Sequence, residues 1–474
     1  MVANATIIAP AAAPFGTVIS SMPTPATEIR AGRFGALRRY QPQVAALRSS
    51  DTAKAAGLAG AMIANNVIAL GSTVVFARLL SDYGSLAALV SYFLILSVVG
   101  QAIQVATARE GVLGHLGVGA GLVTTLKRWT RSMVWFTLAL AVLSILLREP
   151  IAQAVGVKKD PWAAAIGLPA ACLWLELSIL RGALQGVGDY KSVGISLIGE
   201  QATRLVVGAA LAGAGLGVTG AYLGTPVSFI AMGIFCAIHI RRYAAQFDPN
   251  APVSKRDQAA ALTLWKHVAY AWAPIAGLIV IAVLQNIDII AAKHRFTGKD
   301  LASSYAATAV AAKVLIWVAM GASFYLVPEV SRRRSEGQDT RPVLMRALSI
   351  IVVCAVPVLL IFAFGAKPLL RAAFGPKRLA ASDSLLVLGV AFTVLACTFL
   401  AIQYMLALRR FWFLIVLGTV ALAEPVLLLQ ASRRPAGFAA VVLGIQAVGA
   451  LLAFALALRR DNAPPKQAVS PEPA

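Results

Sequence analysis

Along most of this chain the apolar residues do not alternate with polar ones but follow each other on consecutive positions, as from Leu86 to Val99. Such stretches recur from near Ala55 to near Leu458. A helix rising 1.5 Å per residue crosses a ~30 Å hydrocarbon layer in about 20 residues, the length of each stretch. A membrane barrel would show strict alternation over about 10 residues, so helices are the consistent reading. The pattern predicts twelve spans, over 55–79, 85–106, 132–148, 162–182, 192–213, 218–240, 268–291, 303–327, 346–366, 384–406, 411–430 and 437–458. The expected fold class is an all-α polytopic membrane protein.

Between the sixth and seventh spans lies the longest internal polar segment, with Asp248-Pro249-Asn250 and Lys255-Arg256-Asp257. Cutting there divides the chain into two six-helix lobes, 55–240 and 268–460, joined by a cytoplasmic linker over 241–267. A weak repeat supports the cut. Arg148-Glu149-Pro150-Ile151 and then Gly156 follow the third span, and Ala366-Lys367-Pro368-Leu369 and then Gly375 follow the ninth. With six crossings each, the halves enter the bilayer in the same direction and read as parallel repeats, an arrangement that places a transport site between them. Residues 1–54, rich in Ala, Pro, Thr and Ser and without a basic stretch ahead of an apolar one, are expected to be a disordered cytoplasmic tail. Residues 461–474 read the same way.

Composition agrees: of 474 residues, 59% are hydrophobic and 13% charged, against about 25% charged in a soluble domain. Positive loops resist translocation, and with the first residues inside, 27 of the 42 Lys and Arg fall on the inner side and 13 on the outer. Both termini are therefore expected in the cytoplasm, and the protein in the cytoplasmic (inner) membrane. The net charge of +22 is spread over short groups at span ends, such as Lys127-Arg128, Arg332-Arg333-Arg334 and Arg409-Arg410. These read as topology signals and contacts to anionic membrane lipids, not as a nucleic-acid surface. Cys172, Cys236, Cys354 and Cys397 all lie inside apolar spans, and His115, His239, His267 and His294 lie near span ends without clustering. No metal site, cofactor or catalytic group is expected from them.

A charge near the bilayer centre is costly and usually faces a partner or a watery cavity. Glu200 and Arg204 lie near the middle of the fifth span, four residues apart and on one face. Lys313 lies near the middle of the eighth, and Asp288 in the seventh after Gln285-Asn286. Asn65-Asn66 sit at mid-depth in the first span, and Glu176 and Glu424 in the fourth and eleventh. Two readings stay open. Glu200 and Arg204 form a purely structural pair, or Arg204 and Lys313, from different halves, line a cationic cavity. A buried carboxyl exchanges a proton unless a cation offsets its desolvation, which makes Glu200 or Asp288 the candidate for ion coupling.

Phe76-Ala77-Arg78-Leu79-Leu80-Ser81-Asp82-Tyr83-Gly84, Gln104-Val105-Ala106-Thr107-Ala108-Arg109 and Leu180-Arg181-Gly182-Ala183-Leu184-Gln185-Gly186 precede Glu200 and Arg204. Asn286-Ile287-Asp288-Ile289-Ile290-Ala291-Ala292-Lys293 and Tyr305 follow. This order, across most of 55–460, resembles the polysaccharide flippases of the multidrug/oligosaccharidyl-lipid/polysaccharide exporter superfamily. The resemblance implies alternating-access translocation of a polyprenyl-diphosphate-linked oligosaccharide to the outer leaflet, with a glycan polymerase and chain-length proteins as partners. A diphosphate needs cations in a low-dielectric cavity, so Arg204, Lys313 and Arg78, with Asn65 and Asn66, are the candidate substrate residues. Two rivals stand beside it. A cation-coupled drug exporter of the same fold would favour an acidic cavity, and a membrane glycan polymerase or glycosyltransferase would need a larger outer loop. No P-loop is present, so transport would draw on a gradient, the membrane potential or removal of product.

Overall fold

The computed structural model describes residues 51–247 and 272–459. They form helices α1 (Asp51–Leu79), α2 (Tyr83–Val112), α3 (Ala120–Leu146), α4 (Arg148–Val155), α5 (Pro161–Gly186), α6 (Tyr190–Leu211) and α7 (Gly217–Ala244). After the undescribed stretch come α8 (Trp272–Arg295), α9 (Lys299–Ala312), α10 (Val314–Ser335), α11 (Arg341–Phe374), α12 (Leu385–Ala407), α13 (Phe413–Gln430) and α14 (Pro435–Ala457). There is no strand among the described residues. The expected tails over 1–54 and 461–474 and the linker over 241–267 lie wholly or largely outside them.

Among the described residues, eleven continuous helical segments are long and apolar enough to cross a membrane, and one of them, Tyr190–Ala244, has 55 residues. Straight, it would measure about 80 Å, far more than a bilayer is thick. It is a hairpin. The chain turns at Gly215 and Gly217, both at positive φ (98° and 52°), and α6 then runs antiparallel to α7. A Cβ on Gly224 would stand 2.6 Å from the Arg204 carbonyl oxygen, and one on Gly208 2.8 Å from that of Ala221. Only glycine lets the two backbones approach this closely. The segment therefore supplies two crossings, and twelve result, as the hydrophobic pattern predicts.

Boundaries differ from the predicted ones where charge rides on a helix instead of ending it. The third span begins at Ala120, with Lys127, Arg128 and Arg131 on its early turns, and the fourth runs on to Gly186, which leaves Arg181 more than a turn from the helix end. The eighth span is broken at Lys313 into α9 and α10. The repeat seen in sequence has a structural counterpart. After Leu147 the chain forms the short helix α4, ended by Gly156 at φ 82°; after a kink at Gly365 it forms a last stretch of α11, ended by Gly375 at φ 86°. Glycine is required at both stops because L side chains rarely adopt that φ.

Much of the helix surface is apolar and bare: Phe364 is 87% exposed and Leu422 77%. Hydrocarbon is the solvent that suits such faces.

Candidate functional site

The first buried charge cluster is built on α5 and α6. Arg181, on α5, is completely buried and donates from Nε to Ser196 Oγ (2.8 Å), from Nη2 to the Ser196 carbonyl (2.8 Å) and from Nη1 to Glu200 Oε2 (2.9 Å). The other carboxylate oxygen of Glu200 accepts from Arg204 Nη2 at 2.9 Å. Two guanidinium groups thus flank one carboxylate, leaving one positive charge in excess inside the helix bundle. Arg204 is 17% exposed, lies 5.5 Å from the Phe229 ring centroid and 6.0 Å from that of Phe93, and its Nε is buried without an acceptor. The cluster is held by charge-assisted hydrogen bonds and keeps an unused donor beside an aromatic wall.

The second cluster joins α8, α9, α13 and α14. Lys313 sits at the break between α9 and α10 and donates to Asp288 Oδ1 at 2.9 Å, with the Phe392 ring centroid 5.0 Å away. Tyr305 Oη reaches the other oxygen of Asp288 at 3.4 Å. Nearby, Glu424 Oε1 accepts from Gln446 Nε2 at 3.1 Å, and the same amide donates to the Leu284 carbonyl at 3.1 Å. Glu424 Oε2 is buried with no partner. Here the balance is reversed, with two buried carboxyl groups around one ammonium.

A third group of residues ties the N-terminal half, 51–247, to the C-terminal half, 272–459, at the end where α1 and α8 finish and α2 and α9 begin. A helix leaves its last carbonyls without intrahelical partners, and three basic side chains from the opposite half take them up. Arg378 donates from Nε to the Ala77 carbonyl (3.1 Å) and from Nη2 to those of Leu80 (2.5 Å) and Ser81 (3.4 Å), beyond the end of α1. In return Arg78 donates to the carbonyls of Ala372 and Ala373 at the end of α11. His294, at the end of α8, donates from Nε2 to the Ala154 carbonyl (2.9 Å) at the end of α4. The exchange is reciprocal: the end of each half's first span binds the short helical piece of the other half.

Asp82 and Lys293 add an ion pair at 2.7 Å, and the Gly84 amide donates to Ser303 Oγ at 2.9 Å. Asp82 also caps α2 through Ser85. Burial alone would raise the Asp82 carboxyl, but the Lys293 hydrogen bond and charge, with the Ser85 hydroxyl and amide, hold it below its ordinary 3.8.

The structure therefore separates residues that the sequence reading grouped. Arg204 and Lys313 belong to different clusters, each already facing a carboxylate of its own half. Arg78 is engaged by carbonyls in the clamp between the halves. Asn65 and Asn66 lie half-buried on α1, their amides 3.4 Å apart. Glu200, one of the two proton candidates, is held by two arginines; Asp288, the other, is paired with Lys313. Arg181, Gln446, Arg378 and the Asp82–Lys293 pair were not anticipated as site residues. An arginine in the largely apolar run ending at Gly186 was the available signal for Arg181.

No protein-family model and no curated protein sequence matches the chain. Solved structures do. An inward-facing multidrug resistance MATE family transporter of the MOP superfamily matches with a TM-score of 0.63 at 12% identity, over 83% of this chain and 93% of that one. The lipid II flippase MurJ in its inward closed conformation matches with a TM-score of 0.62 at 14% identity, over 84% and 86%. An outward-facing MATE family transporter matches with 0.51 at 13% identity, over 87% and 96%. At these identities the similarity is one of fold: the chain has the fold of the MOP-superfamily transporters and of the MurJ flippase.

Proposed function

We propose that the protein flips a polyprenyl-diphosphate-linked oligosaccharide from the inner to the outer leaflet by alternating access. The observation that carries this reading is the buried Arg181–Glu200–Arg204 cluster, with its excess positive charge and the unpartnered Nε of Arg204. A diphosphate is the kind of group that such a donor, in low dielectric, binds well. The glycan's lipid tail can stay in the bilayer while its headgroup crosses. By the count of positive residues the clamped end is the outer one, so the halves part toward the cytoplasm and cargo loads from there. The higher TM-scores to the inward-facing and inward closed relatives support the same direction.

Energy would enter at the second cluster. Asp288 and Glu424 around Lys313 are charge-balanced when one carboxyl holds a proton, and the free oxygen of Glu424 is the position for it.

A second reading is a cation-coupled multidrug exporter, favoured by the excess of carboxyl groups in the C-terminal half and by the MATE neighbours. A strain lacking the gene distinguishes the two. Lipid-linked glycan retained on the inner leaflet, with unchanged drug susceptibility, is the flippase outcome; drug sensitivity with normal glycan is the exporter outcome.

A further inference from the structure

The ends of α12 and α14 and the beginnings of α8 and α13 line an open cavity of about 880 Å³. Among the described residues its wall carries Arg409, Arg410 and Arg459 and no acidic residue. Arg410 bridges the cavity rim, donating to the carbonyls of Ala457 (3.2 Å) and Arg459 (3.1 Å). The side chains of Arg409 and Arg459 are exposed and make no hydrogen bond or ion pair with other described residues. Arg409 also occupies a costly position. It has φ 55°, and among the described residues it is the one non-glycine at positive φ, just past a helix end where glycine usually stands. A charge is kept there against backbone preference.

Two features place the cavity at a membrane–water boundary and not in free solvent. Trp272 and Trp412 stand on its wall at 60% and 74% exposure, and exposed tryptophan is enriched at headgroup depth. Ile415, also on the wall, begins an exposed stripe continued by Leu422, Val426 and Leu429 at helical spacing along α13. The arginines suit a phosphate, and the stripe suits a hydrocarbon chain attached to it.

We infer that this cavity binds the phosphodiester headgroup of an anionic phospholipid, with Arg409 and Arg459 against the phosphate and the acyl chains along α13. The inference does not depend on the transported cargo, because it uses none of the buried clusters. A basic residue near an anionic membrane surface is worth about 1 kcal/mol, which is about fivefold in affinity. The test is native mass spectrometry of the purified full-length protein titrated with phosphatidylglycerol, phosphatidylcholine or soluble glycerol 3-phosphate. Wild type should retain phosphatidylglycerol several-fold better than phosphatidylcholine, and glycerol 3-phosphate at equal concentration should not displace it. Arg409→Asn with Arg459→Gln should lose phosphatidylglycerol by about fivefold or more, asparagine being tolerated at positive φ. Arg409→Lys with Arg459→Lys should keep most of the binding, which separates charge from folding. Undiminished phosphatidylglycerol binding by the neutral pair, equal retention of phosphatidylcholine by wild type, or displacement by glycerol 3-phosphate would each overturn the inference. If the neutral pair fails to fold, the lipid comparison on wild type and the lysine pair still decides.

Discussion

Replacing Arg181 with alanine removes three hydrogen bonds from a fully buried guanidinium, two to Ser196 and one to Glu200. Breaking a buried ion pair by deleting one partner costs about 3–5 kcal/mol. Glu200 would keep Arg204, so the cost should lie near the lower end, about 3 kcal/mol. Arg204→Ala removes one charge-assisted hydrogen bond, for which the range is about 1.5–3 kcal/mol. Its partial exposure again favours the lower end, and Glu200 would keep Arg181. The difference of about 1.5 kcal/mol is about tenfold in the folded-to-unfolded ratio. Denaturant titration of the purified protein in detergent, followed by tryptophan fluorescence, measures this difference. Trp174 lies 5.6 Å from the Arg181 guanidinium and reports on the site. If Arg204→Ala proves as unstable as Arg181→Ala, Arg181 is not the anchor of Glu200 and the asymmetry argued from the geometry is wrong.

The clamp yields a charge-swap prediction: Asp82→Lys alone should loosen the closed end by about tenfold in the open-to-closed ratio, and Asp82→Lys with Lys293→Asp should restore it, read as distances between spin labels across that end. Because the Asp82 carboxyl is lowered in the folded state, its contribution is fully present above 3.8 and disappears as pH falls below that value. With His294 replaced by glutamine, so that no histidine remains in the clamp, label distances should therefore stay constant between pH 8 and 5, and a transition within that range would contradict the Asp82–Lys293 account. For orientation, cysteines replacing the exposed Lys158 and Arg242 in a background without the four native cysteines should differ, with Lys158→Cys labelled by an impermeant reagent from outside and Arg242→Cys protected. Glu424→Gln should leave the protein folded but make transport in vesicles insensitive to collapse of the proton gradient; continued sensitivity would remove Glu424 from the coupling step.

The spans were legible because bilayer thickness imposes a length that local sequence can show. The same holds for the stops at Gly156 and Gly375, where the backbone itself demands glycine. What stayed hidden was register between helices. Glu200 and Arg204 share a face by periodicity, but nothing local says that Arg181, on another helix, arrives at the same depth. Arg181 sits at the last positions of the expected span 162–182, where a basic residue reads as a span end, but the helix continues to Gly186. Asp288 and Lys313, 25 residues apart, were both recognised as buried charges, yet their pairing needs the break between α9 and α10. Arg378 follows Gly375 in a short stretch between two spans, with nothing in the local sequence to single it out. It is buried because the carbonyls left over at the end of α1 lie within its reach, a property of the other half of the chain.

The central claim, that Arg204 presents a partly buried cation to a diphosphate, is tested most directly by leaflet-resolved measurement of lipid-linked glycan in a strain lacking the native gene. Arg204→Ala should accumulate glycan on the inner leaflet at normal protein level, and Arg204→Lys should restore part of the flipping, since lysine supplies charge without the bidentate fork. Adding Glu200→Ala to Arg204→Ala should not rescue transport. A well-expressed Arg204→Ala protein that flips at the wild-type rate, or a double variant restored to full activity, would contradict the account.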